Sequence, residues 1–325
     1  MFYLLCLTLC LAVMFLVLAV ASILSVPVAG LLERWLEHAR PRTTANLLLI
    51  FRLLPFSLAV TISIGLALPA FLKFEPPSTK EMLNVPLIVL AALGGGVLIT
   101  IISRGLRMWR TTRFMQREWQ KHSHAVDGAG DLPLYRIDSK TSLLAVTGVF
   151  KPKIFVSRAV AEALTEEEMS AALSHEIAHV RSHDNLKQVL MKIMAPPPWF
   201  HVHQSTGASW IRASEIAADE SALAQGASAL ELSSALIKVG RLSLANTVPG
   251  TVAASHLVPR GCSSATLTRA AHLRDLLENG TVVADVQSSG SRKALTALAL
   301  IVSAYIACLV TLLPAVHEAL EFLVR

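Results

Sequence analysis

The sequence predicts a multi-span α-helical membrane protein with an α+β domain between its third and fourth membrane spans. Two observations support this fold class. The composition is 53% hydrophobic and only 16% charged, which is too apolar for an ordinary soluble protein. The apolar residues also gather into uncharged runs long enough to cross a bilayer. Most of the polar residues lie between the third and the fourth of these runs.

The first apolar run, Phe2 to Val26, contains no charge. A cleaved signal peptide is the alternative to a span, because Ala19-Val20-Ala21 resembles a cleavage site. However, the run is too long for the apolar region of a signal peptide, and no basic residue precedes it. We therefore expect a first membrane span, with the N-terminus external.

The second and third spans are Leu53 to Leu72 and Val85 to Ile102, and Gly94-Gly95-Gly96 in the third allows close helix contact. The short loop between them, Lys73 to Asn84, holds only two lysines, whereas a strongly basic segment follows the third span: Arg104, Arg107, Arg110, Arg113, Arg117 and Lys121. This asymmetry predicts that the basic segment is cytoplasmic. Because Trp109, Phe114 and Trp119 interleave it, we interpret it as a membrane-hugging stalk helix and not as a nucleic-acid site.

The fourth span is Ala294 to Leu313. The sequence therefore predicts three transmembrane helices with short loops in residues 1–103, a cytoplasmic domain in residues 104–293, and the fourth transmembrane helix with a short external tail in residues 294–325. We expect a multi-pass protein of the cell (inner) membrane, in contact with the lipid bilayer and with both termini external. The four cysteines fit no disulfide framework.

Within the domain, residues 135–137, 142–149 and 154–157 read as short strands. Ile154-Phe155-Val156 is a candidate exposed strand that aligns an extended peptide, with a plain core strand as an equal alternative. The apolar stretch Leu186 to Phe200 contains three prolines, so we expect it to lie against the membrane or neighbouring helices. Asn246 to Ser264 reads as a mobile loop.

The domain is organised around His175-Glu176-Ile177-Ala178-His179. In a helix, His175 and His179 lie one turn apart on the same face, so both imidazoles reach one tetrahedral zinc ion with Glu176 beside them. Zinc chemistry needs an open position for water and a base that is not itself a ligand. Thr165 and Glu168 form a capping box that predicts the start of this helix, and the pattern matches the zincin motif.

A third ligand is available downstream. Glu215 and Asp219 lie one turn apart on a second predicted helix. Glu215 completes a His-His-Glu site, and Asp219 accepts the remaining N–H of a ligand histidine. A solvated acidic face is the alternative for such a pair.

Three further residues are candidates with plainer alternatives. His201 and Arg212 are candidate donors to the oxyanion or the substrate. A structural histidine is the alternative for His201, and an ion pair with Glu215 is the alternative for Arg212. For Asp184, a helix-terminating turn is favoured over a hydrogen bond to a ligand histidine.

The sequence resembles the BlaR/MecR-type integral-membrane zinc peptidases of the beta-lactam receptor family and, more weakly, HtpX-like and CAAX-processing membrane proteases. The resemblance is carried by residues 148–156, 164–168, 175–179, 184–186, 199–201 and 215–219. It implies a cytosolic zincin-like (gluzincin) metallopeptidase domain with one zinc ion on His175, His179 and Glu215. It also implies Glu176 as the catalytic base and cleavage of a protein such as a transcriptional repressor.

The family's receptors continue after the fourth span into an external penicillin-binding domain with a Ser-x-x-Lys motif, which is not found after residue 313 here. We therefore expect no direct beta-lactam binding and a separate sensor protein as partner.

These observations predict a membrane-embedded zinc endopeptidase that acts on a protein or peptide in regulated signalling. The alternative is a non-proteolytic signalling or scaffold protein with a structural zinc site, which would not need Glu176. A transporter would want ionisable residues inside the spans, and the sequence places none there. The net charge of +6 is explained by topology and anionic lipid, so we expect no nucleic-acid partner.

Overall fold

The structure is a computed structural model that describes residues 2–36, 39–76, 84–126, 132–139, 142–195, 202–245, 254–256, 269–274, 276, 278, 314 and 317–320. The expected fourth span, the peptide around His201 and most of the expected loop at residues 246–264 lie outside these residues.

The chain begins with long apolar helices. They are α1 (Phe2–Leu36), α2 (Pro41–Ile62), a π-helical turn (Ser63–Ala67), α3 (Leu68–Phe74) and α4 (Val85–Lys121). Because α2, the π turn and α3 run on as one segment, the described residues hold three helical segments that are long and apolar enough to cross a membrane. The prediction of a multi-span membrane protein is confirmed.

Helices α1 and α4 pack closely at Gly94. A Cβ at this position would lie 2.2 Å from the backbone oxygen of Leu11, whereas Cβ atoms at Gly95 and Gly96 would meet nothing within 4 Å. Of the predicted glycine triplet, Gly94 is therefore the residue that allows the helix contact. The hydroxyl of Ser63 in the π turn donates to the carbonyl of Cys10 at 2.7 Å, which links α1 to the second segment.

The basic segment after the third span continues α4 without a break and leads into a mixed five-stranded sheet. Its strands are β1 (Ser123–Val126), β2 (Leu134–Ile137), β3 (Leu144–Thr147), β4 (Lys153–Ser157) and β5 (Ala254–His256), in the order β1-β2-β4-β3-β5. Strands β2 and β4 are parallel, and the other neighbours are antiparallel.

The structure decides between the two alternatives for residues 154–156 and corrects the expected loop at residues 246–264. Strand β4 is paired on both sides, and its Ile154, Phe155 and Val156 side chains are buried, so these residues form a core strand and not an exposed guide for a peptide. Strand β5 lies inside the stretch that we interpreted as a mobile loop, and it pairs with β3. Short polar sequences gave no periodic pattern for β1 and β5.

The helices of the domain pack on one core with the sheet. They are α5 (Arg158–Ala163), α6 (Glu166–Arg181), α7 (Asp184–Ile193), α8 (Val202–Ala224) and α9 (Ala229–Ala245). The core includes Val146 and Ile154 from the sheet, Ala172 from α6, Leu236 from α9, and Leu273 from a helical turn at residues 269–274. Burial of this apolar surface fixes α6 and α8 against each other.

Helix α8 also packs on the membrane helices. Trp210 is fully buried in a cluster with Leu36 of α1, Leu48 of α2 and Met191 of α7. Nearby, the guanidinium of Arg52 donates to the hydroxyl of Thr206 at 3.4 Å. The domain is therefore joined to the arginine-rich end of α1 and α2, and α7 lies against neighbouring helices as the sequence predicts.

Candidate metal centre

Helix α6 places the motif residues in the interior. The helix begins at a complete capping box, in which the Thr165 hydroxyl accepts the N–H of Glu168 and the Glu168 carboxylate accepts the N–H of Thr165. Two turns later, His175 and Glu176 are fully buried, and His179 is 3% exposed. The predicted helix start is confirmed, and it fixes the register that points both imidazoles inward.

Helix α8 brings a carboxylate to the same point. The Nε2 atoms of His175 and His179 lie 3.1 Å apart. Glu215 Oε2 is 3.6 Å from His175 Nε2, and Glu215 Oε1 is 3.6 Å from His179 Nε2. All three ligand atoms lie within 4.8 Å of one another, so one small cation can contact all of them.

Two aspartates orient the imidazoles. Asp219 of α8 accepts the N–H of His175 Nδ1 at 2.8 Å, and Asp184 accepts that of His179 Nδ1 at 2.7 Å. With Nδ1 as donor, the neutral ring carries its lone pair on Nε2. When both rings are neutral, the two Nε2 lone pairs face each other at 3.1 Å, which fits a shared cation.

Asp184 corrects the favoured interpretation of its sequence. The residue does follow the turn that ends α6, because His183 has a φ of 56° and α7 begins at Asp184. The same turn also points the Asp184 carboxylate at His179. The turn and the hydrogen bond to the histidine are therefore two consequences of one backbone geometry.

An arginine that sequence reasoning missed completes the cluster. Arg269 is 3% exposed and donates from Nη1 to Glu215 Oε2 at 2.7 Å. It also donates from Nη2 and Nε to the two carboxylate oxygens of Asp219, at 2.6 and 2.8 Å. The residue lies 50 positions from Asp219 in no motif. The one available signal was that buried carboxylates need a buried cation.

Burial and charge act against each other in this cluster. Burial alone would raise the pKa of Glu215 and Asp219, but the charge of Arg269 outweighs it and lowers both pKa values. Burial and Arg269 both disfavour protonated His175, yet Asp219 and Glu215 prevail and raise its pKa to about 9. The carboxylates are therefore held ionised, as metal ligands and their partners need to be.

The charge count fits a divalent metal. Four buried carboxylates lie at the cluster, those of Glu176, Glu215, Asp219 and Asp184. Two cations lie with them, the guanidinium of Arg269 and the ammonium of Lys187, which is 3.4 Å from Asp184. Two negative charges remain when both imidazoles are neutral, as metal ligands must be, and one divalent cation cancels them. Nitrogen and carboxylate donors of this kind suit zinc.

The two remaining candidate residues are not placed at this cluster by the structure. Arg212 is exposed, and it donates to the hydroxyl of Ser209 at 2.8 Å. The arginine paired with Glu215 is Arg269, so the alternative of an Arg212–Glu215 ion pair is wrong, and a contact of Arg212 with the substrate stays a prediction. His201 lies outside the described residues.

The chain matches a known peptidase family. Residues 59–258, well over half of the chain, match the family described as BlaR1 peptidase M56. The matched range includes His175, His179, Glu176 and Glu215. No curated protein matches the chain. The apolar helices, the mixed α/β domain and the buried His-His-Glu cluster agree with this match, and the chain belongs to the M56 peptidase family of membrane metallopeptidases.

Proposed function

We propose that this chain is a zinc-dependent membrane endopeptidase that cleaves a cytosolic or membrane-associated protein in regulated signalling. The observation that carries the proposal is the convergence of His175, His179 and Glu215, with Glu176, itself fully buried, next to His175 in the same helix. A purely structural zinc site has no need of a buried glutamate beside its ligands.

The proposed roles follow from the positions of the residues. His175, His179 and Glu215 hold one zinc ion, which when bound activates water and polarises a carbonyl. Glu176 accepts a proton from the attacking water and delivers it to the leaving amine. Asp219 and Asp184 keep the two imidazoles in the tautomer that leaves Nε2 available.

The packing of the domain supports a cytoplasmic location. Trp210 of α8 lies on Leu36 and Leu48, at the end of α1 and α2 where Arg34, Arg40 and Arg42 cluster. Helix α4 reaches the sheet through its own basic end. Because arginine-rich ends of spans face the cytoplasm, we propose that the domain is cytoplasmic in the cell (inner) membrane and that the N-terminus is external. The C-terminus is proposed to be external as well.

The proposed substrate is a protein or peptide, for example a transcriptional repressor, and a separate sensor protein is the proposed source of the signal. Family membership supports this role at the level of a membrane metallopeptidase. The substrate is sought by comparing the proteome of cells that express the parent chain with the proteome of cells that express the Glu176→Ala variant. Glu166→Gln, an exposed change on the same helix, is the matched control.

We expect Glu176→Ala to retain bound zinc and to cause one or a few intact proteins to accumulate, because the base is lost and the ligands are not. The Glu166→Gln control should match the parent. Identical proteolytic profiles for Glu176→Ala and the parent, with zinc bound in both, would instead favour a signalling or scaffold protein with a structural zinc site.

A further inference from the structure

Arg269 is fixed by the core of the domain and not by the metal centre alone. It begins the helical turn at residues 269–274, and Leu273 in the same turn is fully buried in the main core with Leu232 and Leu236. Arg274, one residue further, is exposed and pairs with Glu278. The turn therefore presents one arginine to the interior and one to solvent.

The Arg269 guanidinium bridges the two carboxylates that α8 contributes. Its Nη1 donates to Glu215 Oε2, and its other two nitrogens, Nη2 and Nε, donate to the two carboxylate oxygens of Asp219. The second oxygen of Glu215, Oε1, is the one that lies 3.6 Å from His179 Nε2. The planar fork of arginine suits this geometry, which the single ammonium of lysine cannot reproduce.

The Arg269 bridge reduces the electrostatic repulsion between buried carboxylates. Glu215 and Asp219 lie one turn apart, and both are at least nine-tenths buried, as is Glu176. Buried like charges at this spacing repel each other strongly unless a cation lies between them. A divalent metal supplies such charge when bound, and Arg269 supplies it at all times.

We propose that Arg269 is a built-in counter-cation that holds Glu215 and Asp219 in their ligand positions in the metal-free chain, so that the site is formed before the metal binds. This inference rests on the proposed metal site. Arg269 acts through Glu215 and Asp219, so it is a positioning residue. Its contribution should be larger without metal than with it, because zinc relieves part of the same repulsion.

The test is the apparent thermal unfolding midpoint of the purified full chain in detergent, measured with a chelator and with excess zinc. The variants are Arg269→Met, which keeps an apolar stem of similar length, and Arg269→Lys, which keeps the charge. The control is Arg274→Met in the same helical turn. Zinc content is measured on each sample.

We expect Arg269→Met to lower the metal-free midpoint by about 10 °C, as for a broken buried ion pair in a domain of this size. Zinc should restore most of that loss, so its stabilising shift should exceed that of the parent. Arg269→Lys should fall between the two, and Arg274→Met should match the parent. A variant that folds only when zinc is present would also support the inference.

Equal losses for Arg269→Met with and without zinc would overturn the inference, because they would mean that Arg269 only fills space. An unchanged metal-free midpoint would overturn it too. If Arg269→Met folds in neither condition, Arg269→Lys decides by the same criterion. A parent chain that neither binds zinc nor gains stability from it would instead overturn the proposed metal site.

Discussion

Helix α6 carries buried carboxylates in two clusters of charge, which differ in how completely their charges are balanced. At its first turn, the Glu168 carboxylate is 3% exposed. It accepts the N–H of Thr165 at 2.8 Å, the hydroxyl of Ser234 at 2.5 Å and the ammonium of Lys238 at 2.7 Å. One carboxylate is paired with one ammonium, so the charges of this cluster balance without a bound ion.

The second cluster lies two turns further along the same helix. There, four buried carboxylates, those of Glu176, Glu215, Asp219 and Asp184, outnumber the two cations Arg269 and Lys187, and the Nε2 atoms of the two histidines lie 3.1 Å apart. The chain itself leaves this cluster with an excess of negative charge. The comparison teaches that a buried carboxylate balanced by one partly exposed ammonium is sufficient for structure, whereas an unbalanced cluster of ligand atoms indicates a site for a cation.

The largest expected effect is at the unbalanced cluster. Glu215→Gln removes an anionic ligand, and we expect peptidase activity to fall by at least about 10³-fold, because the metal contributes several kcal/mol to the barrier. Zinc content per chain should fall with it. The measurement is cleavage of a substrate identified by the Glu176→Ala comparison, with the exposed Glu162→Gln as control. Retained zinc and activity would remove Glu215 from the ligand set.

A smaller effect is expected at the residues that orient the ligands. Asp219→Asn weakens the hydrogen bond to His175 Nδ1 and the pairing with Arg269. We expect zinc affinity to fall by about 10- to 100-fold, measured by competition with a chromogenic chelator. Asp184→Asn should give a loss of the same order at His179. The exposed Asp138→Asn is the control, and unchanged affinities would show that the aspartates do not orient the ligands.

The balanced cluster should respond in stability and not in metal binding. Burial alone would raise the pKa of Glu168, but hydrogen bonds from Lys238 and Ser234 outweigh it, and the pKa lies below its ordinary value of 4.5. We expect Glu168→Gln to cost about 2 kcal/mol of unfolding free energy at neutral pH and to leave zinc affinity unchanged. Chemical denaturation with zinc titration checks both.

The pH dependence of that difference has a defined sign. A carboxyl group with a lowered folded-state pKa stabilises the fold above its unfolded-state pKa, and the stabilisation is lost as pH falls through the folded value. The gap between the parent and Glu168→Gln should therefore shrink below about pH 4.5. A gap that stays constant or widens on acidification would show that the Glu168 charge is not what stabilises this end of α6.

The smallest expected effect is at the helix start. Thr165→Ala removes the hydroxyl that accepts the N–H of Glu168, which should cost about 1 kcal/mol of unfolding free energy. Activity at low temperature should be unchanged, because the two histidines lie more than two turns away. A loss of zinc from this variant would show that the two clusters are coupled along α6.

The parts of this protein that sequence predicts best are those with a short-range pattern. The uncharged runs predicted the membrane helices. The capping box of Thr165 and Glu168 predicted the start of α6, and the spacing of the two histidines predicted which face of α6 points inward. Glu215 and Asp219 were recognisable as a pair because one helical turn separates them. Each of these signals lies within a few residues of sequence and depends on helix geometry alone.

The parts that sequence did not predict depend on long-range packing. Arg269 reaches the centre only because Leu273 docks its turn in the core. The position of β4 in the middle of the sheet is set by pairing with β2 and β3, which no alternation within five residues specifies. Arg212 lies three residues before Glu215 in the sequence, yet its side chain lies on the solvent face of α8.

The most direct test of the central claim is X-ray absorption at the zinc edge of the purified, zinc-loaded full chain. The account predicts one zinc per chain surrounded by nitrogen and oxygen ligands at about 2.0–2.1 Å, with the scattering pattern of two imidazoles. Glu215→Gln should change this spectrum, whereas Glu168→Gln should not. A chain that binds no zinc, or a shell of sulfur at about 2.3 Å from its cysteines, would contradict a metal centre built from His175, His179 and Glu215.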